Sequence, residues 1–254
     1  MSVVYISSSK VKAIADAIRE KTETTDGLTL DDMPKAIEGI KGGSDPSELA
    51  LTIINKQVAE CVAEDVTTIP DYAFYKFTGL KKLRIPNVVT VGTSAFDSCA
   101  NIDQIDLPKC TKINNRSFAS CGSATIVSLP LITDLPQGGL YGVGVKTVSI
   151  PLVKTLGSQG LRYSKQLERL DFLQLSSITA LSLDNTNLSV LIVRTGSVCS
   201  LANTNAFTNT PIAKGTGYVY VPRNLVDSYK SATNWSSYAN QIRAIEDYPE
   251  ITGG

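Results

Sequence analysis

The chain has 254 residues, 24 basic and 24 acidic, so its formal net charge is zero, and 43% of its residues are apolar. That balance lacks the basic footprint of a nucleic-acid binder, and no apolar run approaches the ~20 residues of a membrane span, so neither nucleic-acid binding nor membrane insertion is expected. Histidine is absent, which removes Ser-His-Asp and Cys-His nucleophile systems and the commonest transition-metal ligand. No enzyme activity and no cofactor are expected.

The opening decapeptide MSVVYISSSK has no apolar core of signal-peptide length, so signal-directed secretion is not expected. Residues 1–48 do not repeat. Ser8 or Ser9 caps a predicted helix carrying Val11, Ile14, Ala15 and Ile18, an i, i+3, i+4, i+7 stripe. Gly27 breaks the chain, and Asp31-Asp32 opens a second short helix with Met33, Ala36, Ile37 and Ile40. "KGGSDPSE" reads as a linker. Two such helices are too small to stand alone. They form either a cap over the segment that begins at residue 49 or an attachment module, in which Val11, Ile14, Ile18, Met33, Ile37 and Ile40 would dock on a partner or a second copy.

Residues 49–222 keep a beat. Paired apolar residues flanking one other residue occur at Leu83/Ile85, Ile105/Leu107, Val127/Leu129, Val148/Ile150, Leu170/Phe172 and Leu191/Val193, in steps of 22, 22, 21, 22 and 21. Cys61/Ala63 opens the series and Val219/Val221 closes it after a longer excursion. A second landmark moves with the first: Ile69…Phe74, Val91…Phe96, Ile113…Phe118, Leu135…Leu140, Leu156…Leu161 and Ile178…Leu183. Alternate strand residues face one side, proline ends each strand, and the second landmark fills the coil from its far side. No coil buries both faces alone, so stacked neighbours supply the core. A period of this length marks a β-rich, leucine-rich-repeat solenoid of about 22 residues per coil.

Outward positions on the strand side are Lys82, Arg84, Gln104, Asp106, Ile126, Ser128, Thr147, Ser149, Arg169, Asp171, Val190, Ile192, Tyr218 and Tyr220. A solvated sheet face is the plain reading. Apolar residues where water is expected, and the habit of repeat proteins to bind along such faces, point instead to recognition. Lys82, Arg84, Asp106, Arg169, Asp171, Ile192, Tyr218 and Tyr220 are the candidate binding residues. Cys99 and Cys121 occupy one place in adjacent coils; Cys61 and Cys110 take apolar slots, and buried thiols are expected rather than a disulfide. Without histidine or a close CxxC pair no zinc site is expected. Asp184, Asn185, Asn187, Asn203 and Asn205 read as turn-forming side chains, since a calcium site wants several carboxylates.

Residues 223–254 are expected to form a helical C-terminal cap. Leu225, Val226 and Tyr229 give an apolar helical face, and Trp235, Tyr238, Ile242 and Ile245 fold back over the last coil, whose open strand edge needs covering.

The pattern L-x-x-I-x-I-P-x-x-V-x-x-I-G-x-x-A-F-x-x-C-x-x-L, carried most closely by residues 88–107, resembles the BspA-type (Treponema-type) leucine-rich repeat. Later coils drift from it, Gly138-Gly139-Leu140 and Gln159-Gly160-Leu161 standing where Ala-Phe is usual. "VKAIADAIREKTETTDGLTLDDMPKAIEGI" and "PIAKGTGYVYVPRNLVDSYKSATNWSSYANQIRAIEDYPEI" are similar to end segments of tail-associated structural proteins of phages and prophages. The resemblance implies a virion protein assembled in the host cytoplasm. Its residues 1–48 would bind other virion proteins, and its solenoid would meet a host envelope polysaccharide or protein. A bacterial surface adhesin of the same repeat type is the alternative.

Overall fold

The structure of the chain is a computed structural model and describes residues 3–5 and 59–252. The predicted helices and linker of the first 48 residues, with Val11, Ile14, Ile18, Met33, Ile37 and Ile40, lie outside the described residues.

Within 59–222 the chain winds as stacked coils, and the repeat period sets the register. One side of the coil carries the strands Glu60–Val62, Lys82–Arg84, Gln104–Asp106, Ile126–Ser128, Arg169–Phe172, Val190–Val193 and Tyr218–Val221. All pairings are parallel, with Cys61 opposite Leu83, Ile105 opposite Val127, and Leu170 opposite Leu191, itself opposite Val219. These are the residues that the 22-residue steps align. The coil at 147–149 joins its neighbours only through isolated bridges, Ser128 to Ser149 and Thr147 to Arg169. Val3–Tyr5 adds a parallel strand against Glu60–Val62, which sequence periodicity did not suggest.

A second ladder of two-residue strands runs through Ile69, Val91 and Ile113, then Leu135, Leu156, Ile178 and Leu201. Leu201 extends the second landmark by a coil. The pattern is hidden there because the step from Ile178 lengthens to 23 residues.

The third side is not extended, yet it also bonds coil to coil. Phe74 N–H donates to Ala95 O (2.7 Å), Phe96 to Ser117 (2.8 Å) and Phe118 to Gly139 (3.0 Å). Two left-handed residues per coil create this path: Ser94 (φ 49°) and Ser98 (63°), then Arg116 and Ser120, then Gly138 and Gly142. A non-glycine residue pays roughly 1–2 kcal/mol for that conformation, which the inter-coil hydrogen bonds must offset.

The core is one column. Phe74, Phe96 and Phe118 stack with ring centroids 5.1 and 5.2 Å apart and planes within 4°. Leu140, Leu161 and Leu183 continue the column, each fully buried. The glycine-leucine coils thus keep the interior place that phenylalanine holds earlier.

All five cysteines are buried thiols. Cys99 Sγ donates to Phe74 O at 2.9 Å, and Cys121 Sγ to Phe96 O at 3.4 Å. Burial pushes Cys61 and Cys199 up to about 12, Cys110 up to about 11, and Cys121 well above its ordinary value. Unfolded thiols ionise near 9 while the folded ones keep their protons, so this stabilisation is complete below pH 9 and is lost as pH rises toward 12. Urea midpoints should therefore hold steady from about pH 7 to about 9, with no histidine to titrate in between, and fall above that. Alkylation of the native protein should stay incomplete until denaturant exposes five free thiols by mass spectrometry; rapid native labelling of all five would contradict the burial.

Residues 223–252 pack on the last coil. They contain the short helices Val226–Ser231 and Pro249–Thr252, several 3-10 turns, and the strand Ile242–Ala244. That strand pairs parallel with Tyr218–Val221, Ile242 opposite Val219. The expected helical cap is only partly helical: Ile242 folds back over the last coil as part of an added strand, and Ile245 starts a 3-10 turn and is only partly buried. Trp235 is fully buried against Phe207 and Tyr229, and its indole N–H donates to Cys199 O at 2.6 Å. Tyr229 Oη accepts from Cys199 N–H (2.8 Å), and Tyr238 Oη donates to Thr204 O (2.7 Å).

Candidate functional site

The outward row divides into two halves. Toward the amino end, Lys82, Arg84 and Asp106 are exposed; Arg84 Nε contacts Glu60 at 2.7 Å, a surface pair of little energetic weight. Toward the carboxyl end the row is covered. Ile192 is 0% and Tyr220 2% exposed, so neither is a surface binding residue, contrary to the expectation from alternation. The segment 248–251 reaches this part of the face at Tyr220 and Arg169. Tyr248 meets the Tyr220 ring edge-on at 5.4 Å, and Arg169 Nη1 donates to Ile251 O at 2.6 Å. Tyr218 is half-buried beneath the Arg243 guanidinium, 4.5 Å from its ring centroid. Burial, foremost, together with neighbouring Tyr248, pushes the Tyr220 hydroxyl above its ordinary value.

Between the halves lies a groove of about 470 Å³. Its lining includes the coil joined only by isolated bridges, whose outward side chains, Thr147 and Ser149, are short. Ile126 (45% exposed) and Leu173 (51% exposed) flank it. Asp171 and Arg194 close one side: Arg194 Nε and Nη2 donate to Asp171 Oδ1 and Oδ2 at 2.8 and 2.9 Å. The same carboxylate raises the Arg194 guanidinium further above its ordinary value. The Ser128, Thr147 and Ser149 hydroxyls have no side-chain hydrogen bond among the described residues, so they remain available to a ligand. The alternation rule located Ile126 and Asp171 but missed Leu173 and Arg194. These follow their strands by one residue, beyond the alternating window, and no spacing in the sequence marks them.

The coils of this fold match the BspA type leucine rich repeat region model, in six copies, over residues 57–168 and 109–214. The chain belongs to that family. Among solved structures, it is similar to a leucine-rich repeat protein from Bacteroides ovatus, with TM-score 0.50 and 17% identity over 67% of this chain and 51% of that one. It is also similar to a leucine rich cell surface protein from Faecalibacterium prausnitzii, with TM-score 0.43 and 19% identity over 65% of this chain and 39% of that one. At 17% identity the first is a likeness of fold, and the chain spans about half the length of that neighbour. No curated protein matches the chain.

On the turn side of these BspA-type coils the acidic residues serve packing. Asp184 is buried and accepts from Arg162 Nε at 2.7 Å and from Asn185 Nδ2 at 2.6 Å. Asn203 Oδ1 accepts from Asn205 N–H at 2.9 Å, a turn-closing bond of the expected kind. Among the described residues no group of three His, Cys, Asp or Glu side chains is placed to hold a metal. In the groove, both Asp171 oxygens are engaged by Arg194, which leaves the carboxylate poorly placed as a general base. Shape, apolar flanks and free hydroxyls suit the site to binding.

Proposed function

We propose that this BspA-type chain is a non-enzymatic recognition protein, whose solenoid displays the strand-face groove to a partner on a cell envelope. The observation that supports it most is the pair Ile126 and Leu173, exposed across a groove where a solvated sheet face would carry polar side chains. The exposed Lys82, Arg84 and Asp106 extend the same face. The resemblance of both end segments to tail-associated proteins supports a virion setting, with residues 1–48 docking on other virion proteins. A bacterial cell-surface adhesin is the second reading, because the family match falls on the coils, which both settings share.

The test is adsorption of the labelled full-length chain to bacterial cells. The double change Ile126→Asp with Leu173→Asp should leave the melting curve intact and lower adsorption at least tenfold; undiminished adsorption would remove the groove from the function. Deleting residues 1–40 should abolish incorporation into purified particles. Recovery of the chain in envelope fractions of uninfected cells would instead favour the adhesin.

A further inference from the structure

Resting on the recognition reading above, we infer that the groove takes a short peptide segment of a partner protein, one carrying bulky apolar side chains, rather than a polysaccharide.

The adjoining half of the same face already holds a peptide. Tyr248 and the helical turn Pro249–Thr252 of this chain reach it, with the Ile251 main-chain carbonyl on Arg169 (2.6 Å) and the Tyr248 ring on Tyr220 (5.4 Å). Arg169 also donates to Asp171 (3.3 Å), and Asp171 lines the groove. Apolar contact and a main-chain hydrogen bond are thus the way this face binds chain.

The lining chemistry agrees. None of the twelve lining residues is aromatic, so the groove lacks the flat ring on which the C–H face of a sugar packs. Ile126 and Leu173 instead offer branched aliphatic surface, whose burial by a partner side chain is favourable. The free hydroxyls of Thr147 and Ser149 can meet peptide N–H and C=O groups. From the coil of Ile126 to that of Arg194 there are three inter-strand steps of ~4.8 Å, roughly 14 Å, the length of about four extended residues.

The experiment is selection of a random decapeptide display library on the full-length chain, followed by titration of the synthetic consensus peptide and, in parallel, of purified bacterial cell-wall polysaccharide. Ile126→Asp and Leu173→Asp serve as comparison proteins, and thermal melting checks that they fold; Leu173→Ser replaces Leu173→Asp if it does not. Expected are peptides with two or more bulky aliphatic or aromatic residues, bound at least tenfold more weakly by each variant. Enrichment no better than on the variants, peptides indifferent to both changes, or binding of the polysaccharide alone would overturn the proposal. Adsorption to cells is a separate readout, so loss of the recognition function and loss of peptide selectivity are told apart.

Discussion

Phe96→Ala is expected to lower stability by about 3–5 kcal/mol, the range for truncating a buried aromatic ring. Phe96 is fully buried and has a stacked ring on either side, Phe74 at 5.1 Å and Phe118 at 5.2 Å. Truncation removes both stacking contacts at once. The cavity cannot close easily, since the backbone on this side is held to the next coil by Phe96 N–H to Ser117 O at 2.8 Å. Urea denaturation measures the loss. A cost under about 1 kcal/mol would mean that the column is not the core.

Trp235→Ala is expected to cost a similar ~3–5 kcal/mol, for a partly different reason. The indole fills the space between Phe207 at 5.8 Å and Tyr229 at 5.2 Å, and its N–H satisfies the Cys199 carbonyl at 2.6 Å. Trp235→Phe separates the two contributions: it keeps much of the ring volume, leaves the carbonyl unpaired, and should cost about 1–3 kcal/mol. The alanine variant should also make residues 223–252 sensitive to limited proteolysis before the coils unfold. Equal protease resistance in the wild type and Trp235→Ala would contradict this ring as the anchor of that segment.

Sequence periodicity located the coils because burial repeats with the chain. Cys61, Ile105, Val127, Leu170 and Leu191 recur at fixed steps since each must fill one layer of the same column. Other features have no such periodic cause. The left-handed pairs at Ser94 and Ser98 or Arg116 and Ser120 use residue types that do not favour that conformation, because inter-coil hydrogen bonds rather than side-chain preference hold them there. Alternation marked Ile192 and Tyr220 as outward, and along their strands they are; both are buried by tertiary packing, at Tyr220 by Tyr248, a fact absent from local pattern. Leu173 looks like a strand-end residue in the sequence. It becomes part of a groove because the preceding coil carries Thr147 and Ser149.

The most direct measurement is photo-crosslinking of intact bacterial cells with the full-length chain carrying benzoylphenylalanine, placed at Leu173 in one protein and at Tyr163 in another. Leu173 flanks the groove, while Tyr163 is exposed on the turn side of the coil, where it has φ 61°. Adducts to an envelope protein are expected from position 173 and not from 163. Adducts from 163 with none from 173 would contradict recognition through the strand face.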